Sequence, residues 1–238
     1  MDFFIKGWQF WPADPSPDAE ISDPVSSPWP ALPQVPAMQR RRLSPLTKIA
    51  FDVAFSQPVA ADTPLVFASR HGDLHKTLEL LTDVVQQQAL SPTQFALSVH
   101  NAIVGQYSIF QQHQAPHSAV AGGDSSLHYA VLEAVGLMTD PQVSEVLVVY
   151  ADQPVPELYQ CFAAQPATAQ AVALLLSKTE GEAVQLRYQG QATQQPQTPE
   201  TNEVQQLRDF LQYNKMYCDI SSQSASWQWQ RRPYVAKD

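Results

Sequence analysis

Val146, Leu147, Val148, Val149 and Tyr150 form an unbroken apolar run. A strand of that kind belongs in a sheet covered on both faces, because a solvated face would place polar residues at every second position. The rest of the chain supplies the neighbours and the cover. Residues 3–11 (FFIKGWQFW) read as an aromatic strand. Residues 64–70 (PLVFASR) read as a short buried strand ending in the turn Ser69-Arg70-His71-Gly72-Asp73. Ser118 to Ala121 gives another, and 170–176 and 182–189 resemble a strand pair around 177–181, although the first of these also fits a helix.

Helical spacing appears between these runs. Leu43, Leu46, Ile49, Ala50, Val53 and Ala54 line one face over 38–55, and Pro45 places the firm start near Ser44. Leu74, Leu78, Leu81 and Val85 form a stripe over 73–89. Ser91-Pro92 opens a helix near Thr93 with Phe95, Val99, Ala102 and Ile103 as its buried side, after which 108–110 read as a turn. Leu127, Ala130, Val131, Ala134 and Val135 follow Gly122-Gly123-Asp124 and have little polar face, which predicts a central helix buried on most sides. Residues 203–214 read as an amphipathic closing helix before a polar tail with Trp227 and Trp229.

Strand and helix alternate, so the class is α/β, with a mixed, mostly parallel sheet flanked by helices. The 238 residues, 44% of them hydrophobic, fit a single domain over 1–238. Residues 12–37 are a proline-rich extended segment, and 190–238 a divergent C-terminal helix and tail. All five tryptophans fall in 8–29 or 227–229, which places the two ends together on one side of the sheet.

A net charge of −9 argues against a nucleic-acid or anionic-membrane surface, since both need a basic footprint. Arg40, Arg41 and Arg42 make the one dense basic patch, otherwise a solvated approach to a helix. The start has no secretory layout and no run is long enough to span a bilayer, so a cytoplasmic protein is expected, with Cys161 and Cys218 as reduced structural thiols. The six histidines all lie between His71 and His128. Their spacing gives no metal motif, and surface or cleft roles are expected, with no metal and no cofactor.

Ser125 and Ser126 follow a glycine pair, yet G-x-S-x-G is absent. Asp124 and Ser125 read as helix N-caps, an acceptor and a negative charge at the positive end of the dipole.

Taken in order, several segments resemble the N-terminal half of the β-ketoacyl synthases, condensing enzymes of the thiolase fold. They are Arg41-Arg42-Leu43-Ser44, Val66 to Gly72, Ser91-Pro92, Ser98 to Gly105, Ser108-Ile109, Ala115-Pro116, the turn 120–127 and Glu145 to Val149. The likeness covers roughly 40–190. It implies a thiolase-like fold around the central helix and a nucleophilic cysteine at the start of that helix, where the dipole lowers a thiol's pKa. Counting from Asn101 puts that position at Asp124. The family's two catalytic histidines lie in a C-terminal half for which this chain leaves no room, and no histidine follows His128.

The resemblance therefore implies a non-catalytic chain-length factor, of the short kind found with aryl polyene clusters. Such a subunit forms a heterodimer with a full-length β-ketoacyl synthase and shapes the tunnel in which a chain grows on an acyl carrier protein. His71, Leu74, His75 and Leu78 match the tunnel-gating segment. Thr93, Gln94, Phe95 and Ser98 match a stretch facing the partner. The competing expectation is a small acyl hydrolase or acyltransferase using Ser125 or Asp124 with His128 or His100.

Overall fold

The structure is a computed structural model and describes residues 1–12, 29–162, 168–190, 203–222 and 225–232. In chain order its elements are β1 (Asp2–Trp11), α1 (Ala37–Arg40), α2 (Pro45–Phe55), β2 (Leu65–Ala68), α3 (Leu74–Val85), α4 (Pro92–Ala96) and α5 (Ala102–Gln111). Then come β3 (His117–Val120), a 3-10 turn (Gly123–Ser125), α6 (Ser126–Leu137) and β4 (Glu145–Asp152). A second 3-10 turn (Glu157–Tyr159), β5 (Gln170–Ser177), β6 (Glu182–Tyr188), α7 (Glu203–Gln212), β7 (Tyr217–Ser221) and β8 (Ser226–Arg231) complete the chain. Most of the proline-rich segment and the loop 191–202 lie outside the described residues.

The strands form one eight-stranded sheet in the order β3-β2-β4-β5-β1-β6-β8-β7. It is mixed, as expected, but not mostly parallel. Only β2 pairs parallel, with β3 on one side and β4 on the other. The remaining neighbours are antiparallel. Parallel neighbours need a crossover that returns the chain to the same end of the sheet. Helices α3 to α5 provide one between β2 and β3, and α6 the next; β7 and β8 are separated by 222–225 alone, too short for any.

The expected pair 170–176 and 182–189 is two strands that do not pair with each other. Both pair antiparallel with β1, from opposite sides, so 178–181 carry the chain across β1. The crossing falls where the β1 register shifts between Ile5 and Gly7. Gly181, at φ +110°, passes so close that a Cβ there would stand 2.3 Å from the Ile5 carbonyl oxygen, a conformation and a clearance that only glycine allows.

Both faces of the sheet are covered over its central strands β4 and β5. On one, Val146, Val148 and Tyr150 of β4 and Leu174 and Leu176 of β5 meet Leu127, Ala130 and Val131 of α6, Leu207 and Phe210 of α7, and Trp227 and Trp229 of β8. On the other, Leu147, Val149 and Ala151 meet Leu46, Ile49 and Val53 of α2 and Ile103, Val104 and Tyr107 of α5. Each such leucine or valine contributes about 1.5–3 kcal/mol over its exposed state. Helix α2 begins as its sequence dictates, with Pro45 in the first turn and Ser44 Oγ accepting from the Thr47 amide at 3.2 Å.

Four expectations change. Helix α6 is buried by one side only, with Tyr129 and Leu132 open to solvent, because it lies on a sheet face and nothing among the described residues covers its back. Phe95 and Val99 are exposed, not buried. The helix breaks at 97–101, where Ser98 Oγ donates to the Phe95 carbonyl, so these side chains no longer share a face with Ile103. Ser108 to Phe110 belong to α5 rather than to a turn. The polar tail is the strand pair β7–β8, whose Trp227 and Trp229 are fully buried. The ends do meet, Phe3 and Trp229 edge to face at 6.1 Å, but Trp11 and Trp29 stack on the opposite face of the sheet.

Candidate functional site

The three parallel strands β3, β2 and β4 release their chains at one end of the sheet, which is where open α/β sheets place ligands. The turns there are 69–73 after β2, 121–125 after β3 and 153–156 after β4. The gate candidates and Asp124 thus share one rim.

Asp152, the last residue of β4, is 3% exposed and holds the first turn. Its Oδ1 accepts from Ser69 Oγ at 2.7 Å and from the Arg70 amide at 3.0 Å, and its Oδ2 accepts from the Tyr150 hydroxyl at 2.6 Å. Burial holds the Asp152 carboxyl above its ordinary pKa, although these three donors pull it back down. Burial, then the Glu203 and Asp152 carboxylates, raise the Tyr150 hydroxyl well above its ordinary value. Ser69 Oγ in turn accepts from the Gly72 amide at 2.9 Å, and the Ser69 carbonyl meets His100 Nε2 at 3.0 Å. Gly72 stands at φ +61°, with the His100 ring 3.2 Å from where a Cβ would be.

The gate candidates sit on and just after this turn. His71 is half-buried; burial and then the Arg70 charge hold its pKa below the usual value. His75 is exposed and its Nδ1 accepts from Gln153 Nε2 at 3.0 Å. Leu74 and Leu78 are half-buried on α3. Of the whole helix only Leu80 is fully buried, so Leu81, Val84 and Val85 stand exposed, Val85 at 83%. Helix α3 packs on α4, where Thr93, Gln94 and Phe95 are exposed, and Ser98 in the break after it is half-buried. Gate and interface candidates therefore adjoin, and Leu81, Val84, Val85, Leu90, Phe95 and Val99 give that region a larger apolar surface than the sequence disclosed.

Asp124 lies in the 3-10 turn leading into α6, at the dipole's positive end. The capping expectation is corrected for Ser125. Its side chain makes no cap hydrogen bond; its Oγ accepts from the Trp227 indole at 3.2 Å and meets Ser222 Oγ at 3.2 Å. Ser222 donates to the Ala225 carbonyl, which leaves Ser125 the donor of that pair. Ser126 takes the turn instead, accepting from the Gly122 amide and donating to the Gly123 carbonyl. The ring of Tyr129 lies across Gly122, 2.3 Å from where a Cβ would be.

His128 and His113 are buried rather than in surface or cleft positions. His128 stacks on Trp227 at 5.0 Å, accepts at Nε2 from the Trp229 indole at 3.1 Å and turns Nδ1 toward Glu203 at 3.4 Å. Ser125 Oγ is engaged with Trp227 and Ser222 and His128 Nε2 with Trp229, so these two side chains are not joined as a nucleophile and its base would be. The sequence missed Asp152, Tyr150 and Glu203. A signal was present for the first two: Asp152 stands two residues after Tyr150 and so points to the same buried face.

Among the described residues no cluster of three or more histidine, cysteine, aspartate or glutamate side chains forms a metal site, and no helix is long and apolar enough to cross a membrane. Cys161 is exposed and Cys218 half-buried, both free.

No curated protein matches the chain. Among solved structures, one chain of the complex of the ketosynthase ApeO with its chain length factor ApeC from Xenorhabdus doucetiae superposes with a TM-score of 0.76 at 26% identity, covering 97% of this chain and 100% of that one. A β-ketoacyl synthase from Burkholderia phymatum STM815 shares the fold at 13% identity and a TM-score of 0.52, covering 71% of this chain and 53% of that one. The sequence pattern of the β-ketoacyl synthase N-terminal domain matches residues 8–230. With that match and this arrangement of sheet and helices, the chain belongs to the β-ketoacyl synthase N-terminal domain family and has its thiolase-like fold.

Proposed function

We propose that the chain is a chain-length-factor subunit, without catalytic residues of its own, that pairs with an active β-ketoacyl synthase and bounds the tunnel holding the growing acyl chain. The observation that carries this is the superposition on a chain of the ApeO–ApeC complex, which spans almost all of one molecule and all of the other. The site supports it. Aspartate occupies the position that the resemblance gives to the nucleophilic cysteine, and a carboxylate forms no acyl thioester. Tyr129 covers the turn, and Ser125 is fully buried.

Leu74 and Leu78, flanked by His71 and His75, are the bulk that limits length: once the cavity is full, each further unit meets packing strain. The exposed apolar face of α3 and α4, with Thr93, Gln94, Phe95 and Ser98, faces the synthase. An acidic acyl carrier protein docks mainly on the synthase, since this chain carries −9 overall. The resemblance to the short chain-length factors extends the proposal to a polyene-type product.

Co-expression with a synthase encoded beside it tests the proposal. One complex on size exclusion, and longer products with Leu74→Ala or Leu78→Ala, are expected. Separate elution, with the synthase alone giving the same product lengths, overturns it.

A further inference from the structure

The gate candidates do not hold themselves in place. His71, Leu74 and His75 follow a turn whose backbone hangs on a buried carboxylate from another strand. Asp152 Oδ1 receives both Ser69 Oγ and the Arg70 amide, and the Ser69 hydroxyl, bound on one side, receives the Gly72 amide on the other. Those are three successive anchor points, at 69, 70 and 72, immediately before α3. Gly72 at φ +61° reverses the chain there and leaves the His100 ring room to close on it. The carboxylate is itself fixed by the Tyr150 hydroxyl on its other oxygen. Gln153, the next residue along, reaches His75. One short segment, 150–153, thus sets both the direction in which α3 leaves the sheet and the rotamer of a residue on it.

We infer that Asp152 is the positioning residue of the gate: through Ser69, Arg70 and Gly72 it sets where Leu74 and Leu78 stand, and so sets the length at which the chain is stopped. The inference rests on the chain-length reading above. A carboxylate suits the task because it accepts from three donors without donating, and bonds to a charged acceptor are about twice as strong as neutral ones. Its burial keeps water from competing with the turn.

The test uses the complex with the synthase and compares Asp152→Ala, Ser69→Ala and the conservative Asp152→Asn, with Leu74→Ala as the direct gate variant. Hydrogen exchange over 69–75 and the product-length distribution are both read. The expected result is that Asp152→Ala speeds exchange at the Arg70 amide and Ser69→Ala at the Gly72 amide by about tenfold or more, and that both broaden product lengths. Asp152→Asn, which keeps one acceptor oxygen, restores most of both.

Unchanged exchange at Arg70 and Gly72 overturns the inference. So does faster exchange with product lengths unmoved while Leu74→Ala still lengthens them, and that outcome leaves the chain-length reading standing. Product lengths unmoved in every variant, with the complex intact, overturn both. Ser69→Ala removes only a hydroxyl, so the test holds even if Asp152→Ala does not fold.

Discussion

The indole N–H of Trp229 donates to Nε2 of His128 at 3.1 Å, across 101 residues of sequence. That bond assigns the imidazole proton to Nδ1, the nitrogen facing Glu203. Trp229→Phe keeps the ring bulk near Phe3 and Phe210 but orphans the acceptor, and should lower unfolding stability by about 1–3 kcal/mol. Urea denaturation measures it; a change within about 0.5 kcal/mol means the bond is idle.

Ser125→Ala removes the acceptor of the Trp227 indole and the donor to Ser222. A loss of about 1–3 kcal/mol is expected, with turnover of the synthase complex unchanged. Incubating the isolated chain with acyl thioesters should show no hydrolysis to abolish. Turnover that disappears with Ser125→Ala would restore the hydrolase.

Asp124→Asn keeps shape and removes charge from the first turn ahead of α6. The expected cost is about 0.3–1 kcal/mol of stability from the dipole, and kcat of the complex should stay within about twofold. A tenfold loss of kcat would make Asp124 a participant in the chemistry.

Val85→Asp and Phe95→Asp act on side chains that are 83% and 60% exposed. The chain alone should melt within about 0.5 kcal/mol of its parent, while the complex with the synthase weakens by about tenfold or more. Titration by surface plasmon resonance decides. Unchanged affinity in both variants would place the interface elsewhere.

Burial pushes the Cys218 thiol up to about 11. At pH 8 only about one molecule in a thousand carries the thiolate there. Iodoacetamide should therefore label exposed Cys161 first and Cys218 only after denaturation, read by mass spectrometry. Prior labelling of Cys218 would contradict the packing around it.

The fold was legible where one residue's neighbours in sequence are also its neighbours in space. The apolar run at 146–150, the cap at Ser44 and the helix after Gly123 are of this kind, each with its own local signal. Pairing direction was not, because a strand's composition does not say which way its neighbour runs. Residues 227–230, read as tail, alternate tryptophan and glutamine with the period of a half-buried strand. That alternation is the local signal of β8.

The candidate site was half legible. The turn at 69–73 and Asp124 stood out by their small and polar residues. The apolar stripe of α3 was seen, but its exposure depends on what the rest of the chain leaves uncovered. Asp152, Tyr150, Glu203 and His128 come from three separate stretches of chain, and only the folded sheet and helices bring them together.

Strand β1 is the first element of the chain, and its partners, β5 and β6, begin at Gln170 and Glu182. At about 5–20 residues per second on the ribosome, Phe3, Ile5 and Phe10 wait on the order of 10–30 s before anything exists for them to pair with. A nascent chain of this topology carries an aromatic, unpaired strand throughout that interval. Those ten residues need shielding in that interval, before any question of tunnels or partners arises.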